Sequence, residues 1–324
     1  MKVEIKAIEY YLPPNKEDGA ALKKDNPDWR IEEIEQKTGI FVRHVANARQ
    51  TSMDMAVLAA EKLFNCGVKK EEIAFLILVT QSPDYALPTS ACILQDVLGL
   101  SKSCMAFDVN LGCSGYIYGL AIAGALSEAG FGKKGLLICS ETYSKYIDKA
   151  DRTCRPLFSD GAAATLVELT SSDSVGPFEM GTDGSGFSDL IVRFSGTRRF
   201  DGEPEKRQLF MDGAKVFMFT MEMVPQNVLA LLEKSQKTIN DIDLFIFHQA
   251  SKMVIDNIID KLEIPKEKVY WNAHKVGNTV SASIPIALKD ALAEGRIKKG
   301  DQLMLIGFGV GYSWGSCLIR WEVA

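Results

Sequence analysis

Runs of consecutive apolar residues alternate with amphipathic stretches along the whole chain. Residues 72–80 (EIAFLILVT) and 243–249 (DLFIFHQ) are almost continuously apolar, which is typical of strands buried on both faces of a sheet. Residues 53–67 and 213–234 have the spacing of helices instead. Because strand and helix alternate, the pattern predicts α/β layers around parallel strands.

The same order of elements occurs twice, over residues 1–170 and 175–324. In the second half we expect a short strand at 268–272 (KVYWN) and closing strands at 302–309 and 313–323. A tandem repeat of this kind predicts two sheets that pack through shared central helices. We therefore expect two half-domains of similar construction.

The stretch from Ala106 to Leu126 joins a strand to the only long uncharged run in the chain. Its Gly-Cys-Ser-Gly corner places Cys113 at the N-terminus of a helix rich in Ala, Gly, Ile and Leu. The partial positive charge at a helix N-terminus favours a thiolate, so the pattern indicates a nucleophile with a lowered pKa. The alternative is a small buried hydrophobic residue, which is a common role of cysteine.

Composition narrows the class of protein further. The net charge is −5 with both signs interspersed, which argues against a nucleic-acid or membrane-surface protein. Residues 1–11 alternate charged and apolar side chains, which predicts a strand rather than a signal peptide. The seven cysteines include no CxxC pair, so the sequence favours neither a zinc site nor a disulfide framework. We therefore expect a cytoplasmic protein with no bound metal.

Candidate partners for Cys113 lie in the second half of the chain. His248 follows an apolar strand, where open α/β sheets place functional groups; the other two histidines are expected to be structural or exposed. Asn278 lies in a Gly-Asn loop before a predicted helix. A glycine-rich turn near the C-terminus, GFGVGYSWGS, could present backbone N–H groups to a substrate oxygen. Together these features fit acyl transfer through a thioester.

Five motifs are spread over the chain: FDVNLGCSGY, DRTCRPLFSDGAA, HQA, GNTVSASIPIAL and GFGVGYSWGS. In these motifs the sequence resembles the β-ketoacyl-acyl-carrier-protein synthase III family of the thiolase superfamily. The resemblance implies a thiolase-like α/β fold, with two tandem βαβαβαββ halves in a five-layered α-β-α-β-α arrangement. It also implies a catalytic set of Cys113, His248 and Asn278, and a homodimer.

The resemblance further implies a decarboxylating Claisen condensation. An acyl group would move from coenzyme A to Cys113, and the enolate of a decarboxylated malonyl thioester would then attack it. His248 and Asn278 would donate hydrogen bonds to the malonyl thioester carbonyl, and the N–H groups of Cys113 and Val310 would form the oxyanion hole. Val310 stands where the family usually has glycine. The expected substrates are acyl-CoA and malonyl-acyl carrier protein or malonyl-CoA, with no permanently bound cofactor.

Residues for substrate binding follow from the same resemblance. Trp29 and Arg152 match positions that hold the adenine end of coenzyme A, and the polar flanks of Trp29 favour an exposed ring. Ser251 replaces an asparagine that binds the pantetheine arm. Leu87 matches the residue that crosses the dimer to close the partner's acyl pocket, and Phe217 is expected in the acyl pocket.

The surface expected to dock a carrier protein departs from the family. Met218 and Met253 stand where basic residues are expected. Lys215, Lys252 and Lys261 lie nearby in the sequence and could supply the positive charge instead. A malonyl-carrier substrate is therefore less strongly implied than the acyl-thioester chemistry.

Three other functions remain open at this point. A thiolase-fold acyltransferase would deliver the acyl group from Cys113 to a hydroxyl or amine acceptor. A cysteine hydrolase would need His248 to deprotonate Cys113, and the sequence shows no protease signature around either residue. A binding module without catalysis is disfavoured by the complete Cys-His-Asn set. Thiolysis is disfavoured because the glycine-rich turn has no second cysteine before Cys317.

Overall fold

The computed structural model describes residues 1–198 and 206–323. In chain order its strands are β1 (Val3–Tyr11), β2 (Lys16–Asp18), β3 (Val42–His44), β4 (Ile73–Val79), β5 (Met105–Val109), β6 (Lys134–Glu141), β7 (Gly161–Leu169), β8 (Val175–Thr182), β9 (Leu190–Val192), β10 (Leu209–Met211), β11 (Leu244–Phe247), β12 (Gln302–Gly309) and β13 (Ser313–Arg320). Its α-helices are α1 (Gly19–Asp25), α2 (Ile31–Thr38), α3 (Ser52–Asn65), α4 (Ser90–Val97), α5 (Gly115–Glu128), α6 (Gly213–Lys234), α7 (Lys252–Leu262), α8 (Ala273–Val276) and α9 (Ser283–Ala293).

Two larger sheets carry the fold. The first has the order β1-β7-β6-β4-β5, in which β6, β4 and β5 run parallel while β7 and β1 pair antiparallel to their neighbours. The second has the order β11-β12-β13-β8, and only β11 and β12 are parallel. The first sheet takes its strands from residues 3–169 and the second from residues 175–320. The chain therefore completes one sheet before it begins the other.

Helices cover both faces of each sheet. α3 and α4 pack on the outer face of the first sheet, and α6 and α7 form the outer layer of the second. α5 and α9 lie between the sheets and contact strands of both. The predicted five-layered α-β-α-β-α arrangement is therefore confirmed.

The central helix α5 is fixed to both sheets by two tyrosines on its first turn. The hydroxyl of Tyr116 lies 3.3 Å from that of Thr165 in the first sheet. Tyr118 donates hydrogen bonds to the carbonyl groups of Gly181 and Trp314 in the second sheet, at 3.1 and 3.3 Å. The uncharged run is thus a core helix, as predicted. Within residues 1–198 and 206–323, no helix has both the length and the hydropathy needed to span a membrane.

The short strand predicted at 268–272 is wrong. Only Val269 takes part in sheet-like pairing, as an isolated bridge to Phe245. A 3-10 turn at Lys266–Lys268 comes directly before it, and α8 begins at Ala273. Val269 and Tyr270 pair with β11 only at Phe245, and the chain then turns into α8, so no ladder continues. The second sheet therefore has four strands where the repeat pattern predicts five.

Candidate active site

Cys113 lies at the corner between β5 and α5 that the sequence predicts. β5 ends at Val109, Ser114 is the N-cap residue of α5, and only 6% of the Cys113 surface is exposed. Gly309 at the end of β12 leaves space for the thiol, because a Cβ atom there would lie 2.9 Å from the Cys113 Sγ atom. The second sheet thus approaches the thiol so closely that only glycine fits at this position.

His248 directly follows β11, and its backbone N–H donates to the Ile306 carbonyl of β12 at 2.7 Å. Its side chain is buried, and its Nδ1 atom lies 2.7 Å from the hydroxyl oxygen of Ser283, the first residue of α9. When the Ser283 hydroxyl donates this hydrogen bond, the imidazole proton is left on Nε2. Ser283 therefore occupies the position that decides which ring nitrogen can donate to a substrate.

Asn278 is held in place by backbone hydrogen bonds. Its N–H donates to the Leu157 carbonyl at 3.0 Å, and its carbonyl accepts from the Ser159 N–H at 2.8 Å. Its side-chain Oδ1 atom accepts from the Val280 N–H at 2.9 Å. Because Oδ1 is used in this way, Nδ2 is directed towards His248, whose Nε2 atom lies 3.4 Å away. The two nitrogen atoms are therefore neighbours that can donate to a single oxygen atom.

Burial controls the protonation of this site. It raises the pKa of the Cys113 thiol to about 12, with Glu141 acting in the same direction, while the N–H groups of Cys113 and Val310 lower it. Burial also lowers the pKa of His248 to about 3. The expected lowering of the Cys113 pKa is therefore wrong, because desolvation outweighs the favourable position at the start of α5. At neutral pH the site holds a neutral thiol and a neutral imidazole.

The three side chains meet in a cavity of about 290 Å³, named here the entrance cavity. Cys113, His248 and Asn278 line it together with several apolar residues, including Phe217. An adjoining outer cavity of about 340 Å³ includes Arg152, which is exposed. The residues that line both cavities are Lys37, Thr38, Thr153 and Leu157. A substrate can therefore extend from the protein surface at Arg152 to the thiol.

Of two predicted binding residues, Ser251 lies in the expected cavity and Trp29 does not have the expected exposure. Ser251 lines the entrance cavity, but its Oγ atom accepts the Val254 N–H as the N-cap of α7. The exposed ring predicted for Trp29 is wrong, because only 8% of this residue is exposed. Its N–H donates to the Asn26 carbonyl and its own carbonyl accepts from Lys23 Nζ. These bonds hold the Trp29 backbone against the end of α1.

Two further predicted residues lie outside the entrance cavity. Val310 lines a third cavity of about 330 Å³, named here the distal cavity. Leu87 is 83% exposed in the loop between β4 and α4. None of the three cavities, as far as the described residues define them, includes Leu87. A role for Leu87 at an acyl pocket would therefore have to involve a second copy of the chain.

The surface beside the entrance cavity carries less free positive charge than the sequence suggests. Met218 and Met253 are exposed, as an apolar pair on α6 and α7. The three lysines expected to compensate are already engaged: Lys215 pairs with Asp189 at 2.9 Å, Lys252 pairs with Asp256, and Lys261 donates to the Met221 carbonyl at 2.8 Å. Their charges are therefore partly neutralised within the protein.

Sequence analysis missed Lys37 and Ser283. Lys37 lies in the last turn of α2, on the wall shared by the entrance and outer cavities, and has no ion pair with another described residue. The only signal for Ser283 was its place in the serine-rich start of a predicted helix. Across the part of the chain that the structure describes, no cluster of His, Cys, Asp and Glu side chains could hold a metal ion.

These features define a class of enzyme. A buried cysteine faces two backbone N–H groups, and two side-chain donors line the same cavity. A path for a long substrate leads to the thiol between two sheets that pack on shared helices. The arrangement is that of a thiolase-like enzyme which transfers an acyl group through a cysteine thioester.

Comparison with known proteins specifies the family. The model described as 3-oxoacyl-[acyl-carrier-protein (ACP)] synthase III matches residues 107–184, and the model of its C terminal matches residues 232–321. A β-ketoacyl-[acyl-carrier-protein] synthase III of Clostridioides difficile is 37% identical, with 99% of each chain covered. A solved 3-oxoacyl-(acyl-carrier-protein) synthase III is 41% identical, with a TM-score of 0.95 over 99% of this chain and 100% of that chain. The corresponding structure from Thermus thermophilus is 36% identical, with a TM-score of 0.92 and the same coverage.

The chain belongs to the β-ketoacyl-[acyl-carrier-protein] synthase III family. It is accordingly a condensing enzyme of the transferase class, and its reaction is the decarboxylating condensation that begins fatty-acid synthesis.

Replacement of Cys113 by alanine should abolish acylation by acyl-CoA, because Cys113 is the only cysteine on the described wall of the entrance cavity. The fold should persist, since the change removes a single sulfur atom. The measurement is the intact mass of the protein after incubation with acetyl-CoA, with circular dichroism as the test of folding. The control is Cys154→Ala, a buried cysteine in the same apolar cluster, which should acylate as the wild type does. Acylation of Cys113→Ala at another cysteine would contradict the assignment.

Because His248 is buried in its neutral form, the unfolding free energy of the protein should depend on pH. Below about pH 6.5 the unfolded chain binds a proton at His248 that the folded protein does not bind until about pH 3. The wild type should therefore lose about 2 kcal/mol more unfolding free energy than His248→Gln between pH 7.5 and pH 5. Urea unfolding of both proteins at the two pH values measures this difference, and the buried His44 cancels because both proteins contain it. Equal losses would show that His248 titrates normally in the folded protein.

Proposed function

We propose that Cys113 accepts an acyl group from acyl-CoA and that His248 and Asn278 then promote decarboxylation of a malonyl thioester. The observation that carries this proposal is the pair of donors, Asn278 Nδ2 and His248 Nε2, which lie 3.4 Å apart on the wall of the cavity that contains the thiol. Two adjacent donors suit the growing negative charge of an enolate oxygen. For acyl transfer to the thiol we assign the backbone N–H groups of Cys113 and Val310 instead.

The first half-reaction uses the backbone around Cys113. A bond forms between Sγ and the acyl carbon, the bond from that carbon to the CoA sulfur breaks, and the thiol proton ends on the departing CoA. The oxyanion formed on the way would lie against the N–H groups of Cys113 and Val310, the two groups that already lower the pKa of the thiol. No net charge is left in the buried site, which suits its low polarity.

The second half-reaction uses the two side-chain donors. The malonyl carboxylate leaves as CO₂, and its electron pair passes to the thioester carbonyl as an enolate that His248 and Asn278 stabilise. The enolate carbon then attacks the acyl group, and Cys113 departs and regains a proton. Ser283 supports this step as a positioning residue, since its hydroxyl can hold the His248 proton on Nε2.

Binding of coenzyme A is assigned to the outer cavity. Lys37 and Arg152 line it, and neither forms an ion pair with any residue in the described ranges. Two free cations at the mouth of a narrow path suit the phosphate groups of acyl-CoA. Phe217 would contact the apolar part of the pantetheine arm or the acyl chain from the wall of the entrance cavity. Trp29 has no part in this proposal because its ring is buried.

The second substrate is proposed to be a malonyl thioester, carried by acyl carrier protein. The support is the family membership and the open approach to the entrance cavity past Met218 and Met253. Lys215, Lys252 and Lys261 are engaged within the chain. Docking of the carrier protein would therefore depend less on electrostatic attraction than it would at a surface with free basic side chains.

A homodimer is proposed from the free edge of the first sheet. β5 forms that edge, and all of its residues are half-buried. Nearby Tyr85, Leu87 and Val97 are exposed apolar side chains. A second copy that pairs with β5 would cover both the edge and these side chains, and it could bring Leu87 towards the partner's site.

The ranges 1–170 and 175–324 are likewise proposed as the two half-domains, each with its own large sheet.

His248→Ala and Asn278→Ala test the proposed function directly. Each should retain most of the acyl-transfer rate, because the oxyanion hole is made by backbone N–H groups. Each should lose decarboxylation of the malonyl thioester by on the order of 10²–10³-fold, the usual effect of removing one preorganised donor. The measurements are burst acylation of Cys113 and release of CO₂ from malonyl-CoA and from malonyl-acyl carrier protein.

The same experiment separates the rival functions. A hydrolase would lose acylation in His248→Ala, because its thiol would lack a base. An acyltransferase with a hydroxyl or amine acceptor would acylate Cys113 in the wild type but would not release CO₂ from either malonyl thioester. That second outcome would overturn the proposed function.

Substitution of Leu87 tests the shared acyl pocket. Leu87→Ala should accept primers a few carbons longer than the wild type does, and Leu87→Trp should restrict the enzyme to short primers. Phe131→Ala, which alters another exposed apolar side chain, is the control and should leave the preference unchanged. The measurement is the acylation rate over a series of saturated acyl-CoAs, together with sedimentation analysis of the oligomeric state. Unchanged preferences in both Leu87 variants would place this loop away from the acyl group.

A further inference from the structure

The distal cavity begins beside the nucleophile. Leu190 lines both it and the entrance cavity, and Val310, whose N–H acts on the Cys113 thiol, is part of its wall. A Cβ atom at Gly112 would lie 2.5 Å from Gln81 Oε1 and 2.9 Å from Val310 Cγ1. Gln81 therefore reaches the residue next to Cys113. When an acyl group on Cys113 has its oxygen in the oxyanion hole, the rest of the acyl chain can extend into this cavity.

Polar side chains with unused hydrogen-bonding capacity line this cavity. Tyr143 donates a hydrogen bond from its hydroxyl to Gln81 Oε1 at 2.6 Å. That bond fixes the amide, and the Gln81 Nε2 atom has no acceptor among the described residues. The Tyr146 hydroxyl also has no hydrogen-bond partner within the described ranges, and its ring packs edge-on against Tyr143 at 6.2 Å. The cavity is thus equipped to bind an oxygen atom.

A buried carboxylate lies behind Gln81. Glu141 accepts hydrogen bonds from the Gln81 N–H at 3.1 Å, the Ser82 hydroxyl at 2.8 Å and the Ser281 hydroxyl at 2.9 Å. These three donors favour its charged form, whereas burial raises its pKa to about 8. None of its hydrogen bonds comes from a cation. With this pKa the Glu141 side chain is mostly protonated at neutral pH, so it places little negative charge behind the cavity.

The described wall of the distal cavity holds no charged side chain that could balance an anionic group. Burial, followed by the charge of Glu141, raises the pKa of Tyr143 and of Tyr146, so both hydroxyls keep their protons at neutral pH. No basic side chain is among the described residues of the wall, although Arg207 acts on Tyr146 from nearby. A carboxylate on the acyl chain would meet no counter-ion among the described residues of this wall. An uncharged oxygen would find a donor.

We propose, on the basis of the proposed function, that the distal cavity selects primers whose acyl chain carries an uncharged hydroxyl or carbonyl oxygen. Gln81 is the residue that determines this specificity, and Tyr143 positions its amide. A saturated chain of the same length would cover the Gln81 amide and the Tyr146 hydroxyl. Both groups would then lose their hydrogen bonds to water and gain none from the chain. A site built to bind an oxygen discriminates strongly against an analogue that lacks it.

Acylation by primers of four carbons tests this selectivity. Butyryl-CoA, 3-hydroxybutyryl-CoA, 4-hydroxybutyryl-CoA and succinyl-CoA are each incubated with the full chain, and the mass added at Cys113 is followed with time. One of the two hydroxyacyl groups should react with a kcat/KM about tenfold or more above that of butyryl-CoA. Succinyl-CoA should be the slowest, because its carboxylate would enter a cavity whose described wall offers no basic side chain.

Variants then assign the preference to the cavity. Gln81→Leu should lose the preference for the hydroxyacyl group and accept butyryl-CoA at least as well. Tyr143→Phe should reduce the preference, because the amide is no longer held in one orientation. Tyr10→Phe is the matched control, since it removes a tyrosine hydroxyl that donates to Asp290 and lines neither the entrance nor the distal cavity, and it should keep the preference. Circular dichroism reports folding, and if Gln81→Leu does not fold, the result with Tyr143→Phe decides.

The outcomes distinguish this inference from the proposed function. Wild-type protein that acylates with butyryl-CoA and releases CO₂ from a malonyl thioester, but shows no hydroxyacyl preference, overturns the inference alone. A preference that persists unchanged in the folded variants also overturns it. Failure of every acyl-CoA to acylate Cys113 overturns both.

Discussion

The burial of α5 between two sheets is the constraint on which the rest of the structure depends. The helix carries no charged residue in its first three turns, and Tyr116, Ile117 and Leu120 have no solvent exposure. Each such side chain contributes about 1.5–3 kcal/mol when it is removed from water. Because α5 is fixed to the first sheet by Tyr116 and to the second by Tyr118, Cys113 at its start lies where the two halves of the chain meet.

The same burial determines how this site can work. A thiol and an imidazole that are both neutral at neutral pH do not form the ion pair of a cysteine protease. In the mechanism that we propose, catalysis comes from hydrogen-bond donors aimed at the oxygen atoms where charge develops. Both halves would supply these donors: Cys113 comes from the first, and Val310, His248 and Asn278 come from the second. Neither half holds a complete site.

The surroundings of the thiol differ on its two sides. Towards the surface, the outer cavity offers Lys37 and Arg152, which form no ion pair with another described residue. Beyond Val310, the distal cavity offers uncharged polar groups in front of the buried Glu141. In the binding mode that we propose, a substrate that is anionic at one end and neutral at the other would be oriented before it reacts, with its phosphate groups outside and its acyl chain inside.

The sequence by itself determined the parts of this protein that local pattern encodes. It predicted the two sheets and the central helix, the helix at 213–234, and the positions of Cys113 and His248 at the ends of strands, because the spacing of apolar residues follows the geometry of each element. Only the tertiary structure decided the raised pKa of Cys113, the burial of Trp29 and the contact of Tyr143 with Gln81. These properties depend on desolvation and on contacts between residues far apart in the chain. No local pattern encodes them, since they arise only when two sheets close around the same helix.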